Sequence, residues 1–136
     1  MPDVLWRVLH DNRALADALP VLAANAINAL IMAKHGLRTG GIAFLHTFNG
    51  QLEFNSHVHT MATAGWRLSS GYWVSSVYYH PAILMRLCRH AVLELLSTAL
   101  NSGKLKTEMT AEEVEAMLIK QERWWSVKIQ TLAEVT

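Results

Sequence analysis

The 136-residue chain reads as an α+β fold, an antiparallel sheet packed against helices, because its hydrophobic period changes twice. Apolar residues recur at helical spacing in residues 13–34, alternate with a period of two in 41–48, and return to helical spacing in 83–96. With 51% hydrophobic and 17% charged residues, the composition is that of one compact domain and excludes a disordered tail or a coil.

Asp11 and Asn12 are cap-type residues ahead of Leu15, Leu19, Leu22, Ala23, Ala26, Ile27, Leu30 and Ile31, which form one helical stripe. Pro20 interrupts it, so the spacing predicts either a kink or a second helix beginning there, ended in both cases by His35 and Gly36. In the strand over 41–48, Ile42, Phe44, His46 and Phe48 share one face, and Ala43, Leu45 and Thr47 share the other. Asn49-Gly50 marks a turn, followed by residues 51–54 and a second β-like run over 57–64. The aromatic and β-branched run 72–79 predicts a third strand, and 124–129 a further one. The expected sheet thus has three to four strands, with His57-Val58-His59 on a central one. Pro81 suits the first turn of a helix carrying Ile83, Leu84, Leu87, Cys88, Ala91, Leu95 and Leu96 to residue 101. Thr110 and Glu113 fit a capping box that opens a helix through 121 with Val114, Met117 and Leu118 inward.

Twelve Lys and Arg against eleven Asp and Glu leave a net charge of +1, so any nucleic-acid contact must come from a local patch. Cys88, the single cysteine, excludes structural disulfides and reads as a small buried hydrophobe in a reducing compartment. No apolar stretch approaches the roughly 18 to 20 uncharged residues that span a bilayer, and the start lacks a basic signal-peptide region. The expected location is cytoplasmic.

His57-Val58-His59 carries the chemistry. Alternate residues of a strand point to one face roughly 6.5 to 7 Å apart, so two imidazoles converge on one cation. His46, on the neighbouring strand of the hairpin, is the natural third ligand. Its face depends on a register that the sequence leaves open; the alternative is histidines satisfied by hydrogen bonds or solvent. Imidazoles with open positions suit Mn, Co, Ni or Zn better than Mg.

The stretch Gly41-Ile42-Ala43-Phe44-Leu45-His46-Thr47-Phe48, a turn, then Leu52, Asn55, Ser56, His57, Val58 and His59, resembles the metal-binding core of the HUH (His, hydrophobe, His) endonucleases. More narrowly it resembles the two-tyrosine rolling-circle transposases of the insertion sequence ninety-one and ISCR type, which are related to Helitrons. Trp6, Leu9, His10, Asn12, Arg13 and Leu15 resemble that family's approach to its first helix. Residues 73–79 with Leu84, Leu87 and Arg89 resemble its next strand and helix. Arg123, Trp124, Trp125 and Lys128 resemble its aromatic strand ending in lysine. The resemblance implies an HUH-type palm in which the His pair and a third polar ligand hold Mg or Mn. That ion would grip a scissile phosphate of single-stranded DNA at transposon ends, while a tyrosine attacks and becomes joined to the 5′ end.

The sequence departs from that family in three ways. Ser56 stands where the family has proline, which alters the approach to the strand rather than a ligand. A zinc ribbon and a strand are expected before Pro2, and the paired tyrosines on a helix after residue 129, so 1–136 is expected to be a single partial domain, truncated at both ends and inactive alone. Tyr78 and Tyr79 are adjacent on a strand and point to opposite faces, so they make a poor nucleophile pair, and Tyr72 is weaker still.

Candidate DNA contacts are Arg67, Arg86, Arg89 and Arg38, with His90 beside the helix pair. Trp66, Trp124 and Trp125 could stack bases but suit a buried aromatic core better, and Glu112, Glu113 and Glu115 fit the negative first turn of a helix. Two other classes stay open. One is a nonenzymatic module that self-associates through exposed sheet edges. The other is a water-using metallohydrolase with Glu53 as its base.

Overall fold

The computed structural model describes residues 3–37, 39–63, 65–67, 70–75 and 79–120. Helices α1 (Asp3–Asp11) and α2 (Arg13–His35) lead into strands β1 (Gly41–Phe48) and β2 (Phe54–Ala62). Short strands β3 (Gly65–Arg67) and β4 (Trp73–Ser75) follow, then α3 (Pro81–Asn101) and α4 (Ala111–Lys120). The fold class is α+β, as expected.

Strand organisation differs from the single sheet that the sequence predicts. Among the described residues the four strands form two two-stranded antiparallel ladders, β1 with β2 and β3 with β4. The strand expected over 72–79 is ordered as strand only over Trp73–Ser75, and the one expected over 124–129 lies outside the described residues.

Among the described residues one core joins the four helices. Leu5, Val8 and Leu9 of α1, Ala16 and Leu19 of α2, Val92 and Leu96 of α3, and Val114, Met117 and Leu118 of α4 are buried against one another. Leu45 and Val58 bring the inner face of the β1–β2 hairpin onto this core, β1 against α2 and β2 against α1 and α2. The short α1 was missed in the sequence, although Leu5, Val8 and Leu9 have helical spacing.

α2 runs unbroken through Pro20 and ends at Gly36, whose φ of 67° is left-handed and whose N–H donates to the Met32 carbonyl at 2.8 Å. At 23 residues, α2 is long and apolar enough by length and composition to cross a membrane, which corrects the reading that no such stretch exists. Within the described residues, Ala16, Leu19, Ala26, Leu30 and Ile31 of α2 are buried, and the helix packs on α1, α3 and the hairpin.

Asn12 separates α1 from α2, but its side chain does not cap α2. Nδ2 donates to the carbonyls of Val8 and Lys106, each at 2.8 Å, and Oδ1 accepts the Lys106 N–H at 2.7 Å. A buried amide therefore fastens the segment after α3 to the α1–α2 junction. The capping box forms as the sequence predicts: Thr110 N–H donates to Glu113 Oε2 at 2.9 Å, and Glu113 N–H donates to Thr110 Oγ1 at 3.2 Å.

Both ends of the β1–β2 hairpin are pinned. At the tip, Asn49 Oδ1 accepts the N–H groups of Gln51 and Glu53 at 2.9 and 3.0 Å, while Asn49 Nδ2 donates to Glu53 Oε2 at 2.9 Å. At the open end, Tyr79 Oη donates to the Thr63 carbonyl at 2.6 Å and lies 3.1 Å from Thr39 Oγ1. Thr39 N–H donates in turn to Asn28 Oδ1 of α2 at 3.0 Å. Gly41 is required by proximity, since a Cβ there would meet the Met61 carbonyl oxygen at 2.4 Å.

Leu52 adopts φ 63° at the tip with its side chain 82% exposed. A branched residue in that left-handed region costs about 1–2 kcal/mol, which asparagine tolerates better. Leu52→Asn is expected to stabilise the chain by roughly 0.5–1 kcal/mol in urea unfolding.

Candidate metal centre

Whether His46 joins the other two histidines is decided by one irregularity of the hairpin. Near the tip Phe48 pairs with Phe54; continued without interruption, that register would set His46 opposite Ser56 and on the wrong face. The ladder instead shifts between His46 and Phe48, so that His46 pairs with His57 and Phe44 with His59. Directly paired residues share a face, and a diagonal neighbour on that face lies within reach. His46, His57 and His59 therefore meet on the outer side of the hairpin, opposite Leu45 and Val58.

One ligand nitrogen from each of the three histidines lies within 4.8 Å of the others. Ring centroids are 5.3 Å apart for His46 and His57, 4.2 Å for His46 and His59, and 4.9 Å for His57 and His59. His46 and His59 are exposed and His57 is half-buried, so the cluster is open to a large ligand.

The His57 ring is held by its own strand: Nδ1 lies 2.7 Å from the Asn55 carbonyl oxygen. A carbonyl accepts only, so Nδ1 carries the proton and Nε2 keeps its lone pair for the cluster. Metal-binding histidines are oriented in this way. Desolvation, then the neighbouring His46 and His57, pushes the pKa of His59 below the ordinary histidine value. In NMR titrations His59 is expected to protonate below about pH 6.5. Because its folded-state pKa is lowered, its small contribution to stability is present above that pH and fades as the pH falls through the lowered value.

The donor set fits a divalent cation. Three neutral imidazoles suit Mn, Co, Ni or Zn, and leave coordination positions for other ligands. The remaining described carboxylate of the hairpin, Glu53, is hydrogen-bonded by Asn49 within the turn. Ser56, next to the cluster, is fully buried on the core side, and among the described residues its hydroxyl has no hydrogen-bond partner.

The other candidates are more scattered. Arg86 is exposed and Arg89 half-buried on α3, which packs on α2 and α4, whereas the hairpin packs on α1 and α2. His90 Nε2, on the same helix, lies 3.5 Å from Glu94 Oε2. Arg67 lies on β3; its side chain and that of Trp66 fall outside the description, as do Arg38, Tyr78, Trp124 and Trp125 altogether. Tyr72 is exposed, and Tyr79 is engaged at the base of the hairpin. Cys88 is partly buried, and burial pushes its pKa up, in keeping with an unreactive thiol. Two features escaped the sequence reading: the Asn55 carbonyl behind His57, and the Phe44 ring against His59, its centroid 5.7 Å away and its plane tilted 11°.

An α+β domain with three histidines converging on the strands of an antiparallel hairpin is consistent with an HUH-like fold. Residues 40–135 match a transposase family, Y2_Tnp, and the chain belongs to that family. It is similar to the transposase for insertion sequence element IS801 of Pseudomonas savastanoi pv. phaseolicola, 39% identical over 87 residues that make up 63% of this chain. The chain spans 21% of the length of that curated relative. No solved structure matches it.

Proposed function

We propose that this chain is the metal-holding part of a rolling-circle transposase that nicks and rejoins single-stranded DNA at transposon ends in the cytoplasm. The observation that carries the reading is the convergence of His46, His57 and His59 within 4.8 Å on an open face of a chain that belongs to a transposase family. These three would hold the cation, Mn or Mg by resemblance, although the imidazole set itself favours Mn over Mg. When bound, the ion supplies Lewis-acid polarisation of a scissile phosphate and neutralises charge that builds on its oxygens.

The residues around the site supply orientation and access. Asn55 fixes the His57 tautomer, and the exposed rings of His46 and His59 admit a backbone phosphate that a buried pocket would exclude. Arg86 and Arg89 on α3, with Arg67 and Arg38, are proposed contacts to phosphates further along the strand.

The strand-cleaving nucleophile is a tyrosine hydroxyl that bonds to phosphorus while the 3′ oxygen leaves. Tyr79 is occupied by the Thr63 carbonyl, and residues 1–136 are proposed to bind metal and DNA without cutting. Incubating the full chain with Mn2+ and labelled single-stranded DNA tests this directly. Expected is metal-dependent retention of DNA with no change in its length. A covalent protein–DNA adduct would place an active tyrosine within the chain, and free cleaved ends would support water as nucleophile.

A second reading is a self-associating module. It is favoured by Ile42, Phe44, Phe48 and Met61, large apolar side chains exposed on the hairpin. Sedimentation at increasing concentration separates the two, since the metal-holding reading requires no self-association.

A further inference from the structure

We infer that Phe44 is a positioning residue for the metal cluster, fixing the ring plane of His59 as the Asn55 carbonyl fixes that of His57; the inference rests on the metal-holding reading above. Among the described residues no hydrogen bond orients His59. Its ring lies against Phe44 instead, with centroids 5.7 Å apart and planes 11° from parallel. The two residues are directly paired across the β1–β2 ladder, so the contact is built into the register. Phe44 also approaches His46 at 5.4 Å and 52°. One phenyl ring thus flanks the two exposed members of the cluster on the side away from His57.

The arrangement explains an otherwise costly side chain. Phe44 is 41% exposed on the outer face of the hairpin, where it contributes little to the core formed by Leu45 and Val58 behind it. An exposed imidazole with free χ angles would lose rotamer freedom on binding a cation. A stacked neighbour removes part of that freedom beforehand and leaves the edge nitrogens of His59 uncovered, because stacking uses the ring face. A leucine at the same position would keep the apolar bulk but offer no flat surface.

The test uses the full chain and Co2+, whose visible absorption reports the ligand geometry. Phe44→Leu is expected to weaken Co2+ binding roughly three- to tenfold and to change the absorption band, with the melting temperature of the metal-free chain nearly unchanged. Phe44→Tyr, which retains the ring, is expected to restore both. Equal Co2+ affinity in the native chain and in Phe44→Leu would overturn the inference. If the native chain binds no Co2+, the metal-holding reading fails, and ring orientation is still readable in the metal-free protein. Histidine proton spectra should then show the His59 resonances shifting in Phe44→Leu as the ring current of the neighbouring phenyl is removed and the imidazole reorients, with those of His57 unmoved. His59 resonances that stay in place would overturn the positioning role on its own terms.

Discussion

Replacing His57 and His59 together by alanine is expected to abolish the rise in melting temperature that Mn2+ gives the native chain. A ligand at about 100 times its Kd stabilises the folded state by about 2.7 kcal/mol, which for a domain of this size is roughly 10 °C. The double variant should lose that entire increment while its metal-free melting temperature moves little, because these rings lie on the outer face and not in the core. Only neutral imidazoles bind the cation, so the shift should also shrink as the pH is lowered below the usual histidine range. Differential scanning fluorimetry with and without Mn2+ at two pH values measures both effects. A native chain that gains nothing from Mn2+, Co2+ or Zn2+ would remove the metal-holding reading.

The largest effect on stability is expected from Asn12→Ala. Three hydrogen bonds disappear, and the N–H and carbonyl of Lys106 and the Val8 carbonyl each lose a partner at a site where Asn12 itself is 7% exposed. The Val8 carbonyl is left in a buried site whereas the exposed Lys106 groups can turn to water, so the loss amounts to roughly 1–3 kcal/mol, or up to about 10 °C. Urea unfolding of the two proteins gives the number. A change under about 0.5 kcal/mol, the usual range for surface substitutions, would mean that water replaces the amide without cost.

These two sites were legible in the sequence to different degrees. His57 and His59 were plain because strand periodicity alone puts them on one face. His46 was a candidate only, since its face depends on an irregularity between His46 and Phe48 that no local pattern announces. Asn49-Gly50 points to a two-residue turn, yet the Asn49 N–H bonds to the Glu53 carbonyl at 3.0 Å and Leu52 takes up the left-handed conformation, giving a longer loop. Asn12 has the residue type and the place before a helical stripe that fit a cap. Its partner lies 94 residues away, and such a contact leaves no trace in spacing. The helices over 13–35, 81–101 and 111–120 were readable because amphipathic spacing, Pro81, Gly36 and the Thr110–Glu113 box are all local signals. The separation of the strands into two ladders was not, because pairing between strands is a long-range choice.

The fastening of the β1–β2 hairpin at both ends has a thermodynamic corollary. With its apex cross-linked by Asn49 and its base tied through Thr39 to α2 and through Tyr79 to the segment before α3, the ladder has few loose degrees of freedom left to surrender when an ion arrives. Exchange of the amides of Gly41–Phe48 and Phe54–Ala62 that bond across the ladder should therefore already be slow in the ion-free protein and slow little further on saturation, so that capture is written in the imidazole rings and hardly at all in the backbone.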